Sequence, residues 1–114
     1  MQIRQALLVF LRYPDPGRVK TRLARHIGFG PAASVYETLL RRTLGVVSDF
    51  KSLDRQTGVY LFHTPEDSVE KLKARFGGPW EFRTQQGADL GERMENALLY
   101  AFSTGARKAV LIGS

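Results

Sequence analysis

The residues best suited to chemistry lie in a short basic segment that begins at Arg12. Five cations occur there with a single acid, Asp15. The cations are Arg12, Arg18, Lys20, Arg22 and Arg25. Pro14 and Pro16 delay the start of a helix, and Gly17 lets the backbone approach a ligand closely. A loop of this kind between a buried strand and a helix favours phosphate, because backbone N–H groups and cationic side chains converge on the anion.

Charge pattern alone leaves a second interpretation open. The same residues are typical of a proline–glycine turn followed by a basic, solvated helix face. The segment has neither the Gly-x-x-x-x-Gly-Lys-Ser/Thr pattern of a P-loop nor the Gly-x-Gly-x-x-Gly pattern of a dinucleotide-binding turn. The residues therefore predict a phosphate-bearing ligand without specifying which one.

Composition limits the class of protein. The chain has 114 residues, of which 43% are apolar, and a net charge of +6. We expect one domain over residues 1–114, with anionic partners such as nucleotides, nucleic acid or acidic lipid. The absence of cysteine excludes disulfides and thiolate metal sites. The apolar run 6–11 is too short for a signal peptide or a membrane span, so we expect a cytoplasmic protein without a membrane partner.

Apolar spacing predicts an alternation of strands and helices. The predicted strands are 7–11, 59–62, 80–83 and 109–112. Helical patterns separate them, and this order predicts an α/β fold with a mostly parallel sheet and helices on both faces. No internal repeat or linker interrupts the pattern.

The first two helices are predicted from rows of apolar residues. A helix starting at Arg18 would bury Val19, Leu23 and Ile27, which recur every four residues. Pro31 is predicted to open the second helix. The predicted inner face of that helix consists of Val35, Leu39, Leu40, Leu44 and Val47.

The next two helices are predicted from end signals and spacing. Thr64 is the expected N-cap of the third helix, with Pro65 at its first position. Val69, Leu72 and Phe76 form the predicted inner face of this helix. The fourth helix is predicted to bury Leu90, Met94, Ala97, Leu98 and Ala101.

Two polar loops are predicted to meet at one edge of the sheet. Residues 12–20 and 85–93 both follow strands, and open parallel sheets bind ligands at the carboxyl ends of their strands. Asp89 and Arg93 are therefore candidate ligand contacts. Helix capping is the alternative role for Asp89.

Three segments together resemble a known family. They are Pro14-x-Pro16-Gly17-Arg18-Val19-Lys20-Thr21-Arg22-Leu23, Gln86-Gly87-x-Asp89-Leu90-Gly91-Glu92-Arg93-Met94 and Val110-Leu111-Ile112-Gly113-Ser114. The chain resembles the bacterial rSAM/selenodomain-associated transferase 1 family, which is glycosyltransferase-like and belongs to the nucleotide-diphospho-sugar transferase (GT-A) superfamily. The resemblance extends over nearly the whole chain.

The resemblance implies the N-terminal, nucleotide-binding half of a Rossmann-like GT-A domain. A nucleotide or nucleotide-diphospho-sugar is the implied partner. The candidate phosphate ligands are Arg12, Pro16, Gly17, Arg18, Lys20, Thr21 and Arg22, and the implied nucleoside contacts are Asp89, Leu90 and Arg93. Lys20 and Arg22 are the predicted catalytic residues, because phosphate transfer depends on positioning and on electrostatic stabilisation.

One departure from the family concerns the metal. Members typically continue past the Gly-Ser or Gly-Thr at the end of the last strand with an aspartate that is expected to bind Mg²⁺ or Mn²⁺. This chain ends at Ser114, so we expect a truncated and catalytically incompetent form of a metal-dependent glycosyl- or nucleotidyltransferase, with no metal ligand of its own. Its exposed edge strand predicts a homodimer.

A non-catalytic anion- or nucleic-acid-binding module is the alternative function. Arg41 and Arg42 add to the basic character that such binding requires. Few aromatic residues accompany the cations, however, and Tyr13 and Tyr36 are the nearest. Single-strand binders usually stack bases on such residues, so the sequence favours the nucleotide.

Overall fold

The computed structural model describes residues 3–113, within which one four-stranded sheet forms. Its elements are β1 (Gln5–Leu11), α1 (Thr21–Ile27), α2 (Phe29–Leu53), β2 (Thr57–His63), α3 (Val69–Phe76), β3 (Glu81–Thr84), α4 (Leu90–Ser103) and β4 (Lys108–Gly113). The strand order is β3-β2-β1-β4, and every neighbouring pair is parallel. Ser114 of the third quoted motif lies outside the described residues.

Helices cover both faces of the sheet, and β1 shows why. Val9 and Leu11 are buried against α2 and α3, while Leu8 and Phe10 are buried in a second cluster with α4. Successive side chains of a strand point to opposite faces, so a strand covered on both sides must be apolar throughout. The predicted α/β fold is confirmed. None of the helices in the described range is both long enough and apolar enough to cross a bilayer.

The prediction for the first helix is wrong about its start and about the burial of Ile27. α1 begins at Thr21, so Val19 precedes it, although Val19 is buried. Ile27 is 44% exposed, and Ala24 is the buried residue of this helix. The reason is the backbone of Lys20, whose left-handed conformation separates Val19 from the helix.

The second helix starts earlier than predicted, and two of the five residues predicted for its inner face are exposed. α2 begins at Phe29 rather than at Pro31, which the first turn tolerates because its N–H groups have no helical partner. Val35 and Leu39 are 39% and 46% exposed, contrary to prediction. The buried residues of α2 are Ala32, Ala33, Tyr36, Leu40, Leu44 and Val47. Leu40, Leu44 and Val47 are thus buried as predicted, whereas Ala32, Ala33 and Tyr36 take the place of Val35 and Leu39 in the first half of the helix.

The third helix is capped by Ser68 rather than by Thr64. The Ser68 hydroxyl accepts a hydrogen bond from the Lys71 N–H, and α3 follows. Thr64 instead begins a turn in which the Asp67 N–H donates to the Thr64 carbonyl at 3.1 Å. The N-cap prediction was wrong because this turn satisfies Thr64 locally.

The fourth helix buries only part of its predicted row. Ala97 and Ala101 are buried, and Leu98 is half-buried. Leu90 and Met94 are 64% and 37% exposed, contrary to prediction. Both of these exposed residues line an open cleft.

Candidate functional site

The cleft lies where the direction of the chain through the sheet reverses. From β1 the chain runs to β2 and β3 on one side, and it then returns to β4 on the other side of β1. Loops that leave such a switch point diverge and open a crevice at the carboxyl ends of the strands. An open cleft of about 1260 Å³ occupies this position, with residues from the ends of both β1 and β4 in its walls.

The cleft brings together most of the residues predicted from the sequence. Arg12, Arg18, Lys20, Thr21, Arg22, Asp89, Leu90 and Arg93 all line it. Pro16 and Gly17 do not, although Gly17 turns the loop with a φ of 89°. The two predicted loops therefore meet in one concave surface.

Lys20 holds an unusual backbone conformation at the start of α1. Its φ of 51° and ψ of 45° are left-handed, and among the described non-glycine residues it alone has a positive φ. This conformation costs an L-amino acid roughly 1–2 kcal/mol. The Lys20 carbonyl still accepts a hydrogen bond from the Ala24 N–H at 2.9 Å. The strain therefore coincides with the predicted phosphate-binding lysine.

Two cations of the cleft have no partner within residues 3–113. The side chains of Lys20 and Arg22 are exposed and form no hydrogen bond or ion pair there. The helix that follows Lys20 has no acid in its first turn and no side-chain cap. Two uncompensated positive charges therefore border the cleft, where an anion would be attracted.

Arg18 has a different environment. Its Nη1 lies 3.1 Å from Asp15 Oδ2 and 3.2 Å from Asp67 Oδ1. Its Nη2 lies 3.9 Å from Glu66 Oε2. Its carbonyl accepts a hydrogen bond from Arg12 Nη1 at 3.2 Å. Arg18 is thus surrounded by carboxylates, although it reaches the cleft wall.

Arg93 is held by the second loop. Its Nε donates to the Gly87 carbonyl at 3.2 Å, and its Nη1 donates to Gln85 Oε1 at 3.4 Å. Gln85 is buried, and its Nε2 donates to the Phe62 carbonyl at 2.9 Å. Gly87 has a φ of 146°, and any larger residue there would clash, because its Cβ would lie 2.7 Å from the backbone nitrogen of Arg93. These contacts fix the guanidinium at the rim.

Asp89 caps α4, as its alternative interpretation proposed. Its Oδ1 accepts a hydrogen bond from the Glu92 N–H at 2.8 Å. The adjacent wall of the cleft is apolar, and it includes Leu90, Met94 and Leu111. This wall can take a flat, weakly polar group beside the cations.

Three polar residues of the cleft were not predicted as site residues, namely Thr64, Tyr36 and Gln85. Tyr36, predicted only as a nearby aromatic, is buried in α2, and its hydroxyl accepts a hydrogen bond from the Arg12 N–H at 3.0 Å. Gln85 lines the cleft and holds Arg93. Its position beside the Gln86-Gly87 motif was the one available signal.

Charges from both sides of the cleft reach Glu66. Its pKa is lowered first by a hydrogen bond with its own backbone N–H, and further by the Thr64 hydroxyl and the positive charges of Arg93 and Arg18. Arg18 belongs to the first loop, and Arg93 lies in the first turn of α4, just after the second loop. Positive charges from both sides of the cleft therefore lie near Glu66.

The described residues do not offer a metal site. No group of three or more His, Cys, Asp or Glu side chains in residues 3–113 is arranged to hold an ion. Asp89 is engaged as a cap, and Asp67 is engaged by Arg18. Mg²⁺ and Mn²⁺ take oxygen ligands, for which proteins usually supply carboxylates. Metal dependence therefore stays a prediction from the family resemblance.

Comparison with protein families assigns the chain. A family model described as "Uncharacterized protein conserved in bacteria (DUF2064)" matches residues 51–114, which is more than half of the chain. The chain belongs to the DUF2064 family. A comparison with curated proteins finds no match for this DUF2064 chain.

A solved structure also resembles the DUF2064 chain. It is the crystal structure of a protein from Desulfovibrio desulfuricans G20 described as a "putative nucleotide-diphospho-sugar transferase". The two chains are 36% identical with a TM-score of 0.86, and the match covers 99% of this chain and 48% of the other. The DUF2064 chain thus spans about half the length of that protein. Both findings support a GT-A-like family, while membership of the rSAM-associated family stays a prediction.

Proposed function

We propose that this DUF2064 chain binds a nucleotide or nucleotide-diphospho-sugar in the cleft between β1 and β4. One observation carries the proposal: two motifs far apart in sequence converge at the switch point of a parallel sheet, where such folds bind ligands. The likeness to a protein described as a nucleotide-diphospho-sugar transferase agrees with this ligand class.

The phosphate groups would lie against the first loop. Lys20 and Arg22 supply uncompensated charge, and the exposed Arg12 keeps further guanidinium N–H groups. Thr21 lines the same wall and offers a hydroxyl. Hydrogen bonds between charged partners are shorter and stronger than neutral ones, so these side chains can dominate the affinity.

The nucleoside would lie against the second loop. Leu90 and Met94 are exposed apolar side chains in the cleft wall, and their burial by a base would be favourable. Arg93 and Gln85 are held beside this wall and can recognise polar edges. The cleft therefore combines a charged and an apolar region, as a nucleotide requires.

Group transfer is proposed for a longer protein, of about the length of the Desulfovibrio relative, rather than for residues 3–113. Lys20 and Arg22 would stabilise negative charge that develops on a leaving phosphate, provided that they are positioned before the reaction. An Mg²⁺ or Mn²⁺ ion, if bound in the longer protein, would supply additional charge. The described residues themselves account for binding and orientation.

Calorimetric titration tests the proposal. The chain is titrated with nucleoside diphosphates, nucleoside triphosphates, and UDP- and GDP-sugars, with and without Mn²⁺. Lys20→Ala and Arg22→Ala should each weaken binding by roughly 10-fold, the cost of one charged hydrogen bond. Arg25→Ala is the control, because Arg25 is an exposed cation of the same helix that is absent from the cleft wall. Unchanged affinity in both cleft variants would refute the phosphate site.

The nucleic-acid alternative can be judged by the same approach. That alternative relied on Arg41 and Arg42. Arg41 is already paired, because its Nη2 lies 2.8 Å from Glu37 Oε2. Oligonucleotide binding that is tighter than mononucleotide binding and falls steeply with salt would favour that alternative.

A further inference from the structure

Asp67 is a buried carboxylate next to the cleft, and it is not among the functional residues predicted from the sequence. Its side chain has an exposure of 0%, whereas the neighbouring Glu66 is 66% exposed. Burying a carboxylate is costly unless hydrogen bonds and an opposite charge compensate. The contacts of Asp67 therefore indicate what its burial achieves.

All of these contacts lead to the basic loop or to the turn that supports Asp67. Oδ2 accepts hydrogen bonds from the Tyr13 N–H at 3.1 Å and from the Thr64 hydroxyl at 2.8 Å. Oδ1 lies 3.2 Å from Arg18 Nη1, which is close enough for an ion pair but lacks the alignment of a hydrogen bond. One carboxylate thus contacts the loop at Tyr13, near its start, and at Arg18, near its end.

The loop between these contacts is also bonded to itself. The Asp15 N–H donates to the Tyr13 carbonyl at 2.7 Å, and the Arg18 N–H donates to the Asp15 carbonyl at 3.1 Å. Lys20, with its left-handed backbone, follows Arg18 by two residues. A strained residue keeps its conformation only where its surroundings enforce it.

We propose that Asp67 is a positioning residue that fixes the basic loop through Tyr13 and Arg18, and that Arg18 serves this ion pair rather than the ligand. The inference rests on the proposed nucleotide site and extends it. A loop ordered in advance does not lose conformational freedom when the anion binds, and this raises affinity. Arg18 is compensated by acids, whereas Lys20 and Arg22 stay available.

Substitution of Asp67 distinguishes this role from direct phosphate binding by Arg18. With inorganic pyrophosphate as the probe, Asp67→Asn should weaken binding by about 10-fold, because the ion pair that holds the loop at Arg18 is lost. If Arg18 were itself the ligand, releasing it from Asp67 would leave affinity unchanged or raise it. That result would overturn the proposal.

A double variant provides a second test. Arg18→Gln breaks the same ion pair from its more exposed side, where the fold should tolerate the change. Asp67→Asn combined with Arg18→Gln should then bind pyrophosphate about as well as either single variant, because residues that act through one contact are not additive. Fully multiplicative losses would contradict a shared role.

A further control tests whether a loss of stability alone can lower the affinity for pyrophosphate. Thr57 is fully buried at the opposite end of β2, and its hydroxyl accepts a hydrogen bond from Gln5 Nε2 at 2.9 Å. Thr57→Val should lower the melting temperature without changing pyrophosphate affinity. An affinity loss in Thr57→Val equal to that in Asp67→Asn would show that the effect is only one of stability.

Trypsin digestion separates this inference from the nucleotide site. Cleavage after Arg18 and Lys20 should be several-fold faster in Asp67→Asn than in the parent chain or in Thr57→Val, whether or not any anion binds. If the parent chain does not bind pyrophosphate but Asp67→Asn is still cleaved faster, the proposed ligand is wrong, whereas the role of Asp67 in ordering the loop is supported. Unchanged cleavage refutes that role.

Discussion

Lys20→Gly should be more stable than Lys20→Ala, while both variants bind phosphate roughly 10-fold more weakly than the parent chain. Lys20 has a φ of 51° and a ψ of 45°, a conformation that costs an L-residue roughly 1–2 kcal/mol and costs glycine nothing. Glycine also makes the unfolded chain more flexible, which offsets about 0.4–1 kcal/mol of that gain. The midpoints of these two ranges leave a net difference of roughly 0.8 kcal/mol in favour of glycine.

The difference in unfolding free energy between Lys20→Gly and Lys20→Ala depends on little else. The Lys20 side chain is exposed and unpaired within the described range, so neither substitution removes a protein contact. The hydrogen bond from the Ala24 N–H is made to the backbone carbonyl of residue 20, and both variants retain it. The measured difference therefore reports the strain of the backbone.

Urea unfolding measures the free energy, and titration with pyrophosphate measures the binding. Arg22 supplies a matched control, because it lies inside α1 with no need for a positive φ. Arg22→Gly should be about 1 kcal/mol less stable than Arg22→Ala, the opposite order to position 20. If Lys20→Ala equals or exceeds Lys20→Gly in stability, the strain assigned to this position is wrong. Unchanged pyrophosphate affinity in both Lys20 variants would show that Lys20 does not contact the phosphate.

Three further predictions concern the core, the pH dependence and association. Val19→Ala should cost about 1–3 kcal/mol in urea unfolding, because Val19 is 4% exposed and packs in the core; a change near zero would contradict that packing. The pKa of Glu37 is lowered chiefly by its hydrogen bond with Arg75, so its contribution to stability is full above pH 4.5 and is lost as pH falls through the lower folded-state pKa. Glu37→Gln should flatten the acid limb of a melting-temperature profile, and an unchanged limb would refute this. Val110 is 54% exposed on β4, which is an edge strand of the described sheet. Val110→Lys should therefore reduce any concentration-dependent dimer that light scattering detects. A parent chain that is monomeric at all concentrations would refute the dimer.

The sequence was sufficient to predict the order of strands and helices and the edge at which the site lies. Apolar runs such as 7–11 identify strands that are covered on both faces, and alternation with helices implies parallel pairing. The convergence of residues 12–20 with 85–93 follows from that topology, because both loops leave carboxyl ends of strands. This part of the prediction needed no side-chain detail.

The buried residues in the first half of α2 could not be predicted in the same way. α2 carries two adjacent apolar rows, one with Val35 and Leu39 and the other with Tyr36 and Leu40, and either could face a core. The choice depends on which row meets the sheet and on the Tyr36 hydroxyl, which bonds to the backbone of Arg12. Such tertiary contacts are absent from sequence spacing.

The division of labour among the cations was also hidden. Arg18 and Lys20 look equivalent in the sequence, but Arg18 lies 3.2 Å from Asp67, a residue far along the chain. Only the fold shows that Arg18 is compensated, whereas Lys20 has no partner within residues 3–113. A charge cluster in a sequence therefore predicts a basic region more securely than it predicts which of its members contact a ligand.

The construction of the cleft from distant segments has a consequence for finding its ligand. An unfolded chain separates residues 12–22 from residues 85–93 and so cannot form the binding surface. A ligand that binds only the folded state raises stability by mass action, by about 2.7 kcal/mol at a concentration 100 times its dissociation constant. For a protein of this size such a gain raises the melting temperature by roughly 10 °C or more. Thermal melting against a library of phosphorylated metabolites can therefore reveal the natural ligand before any reaction is known.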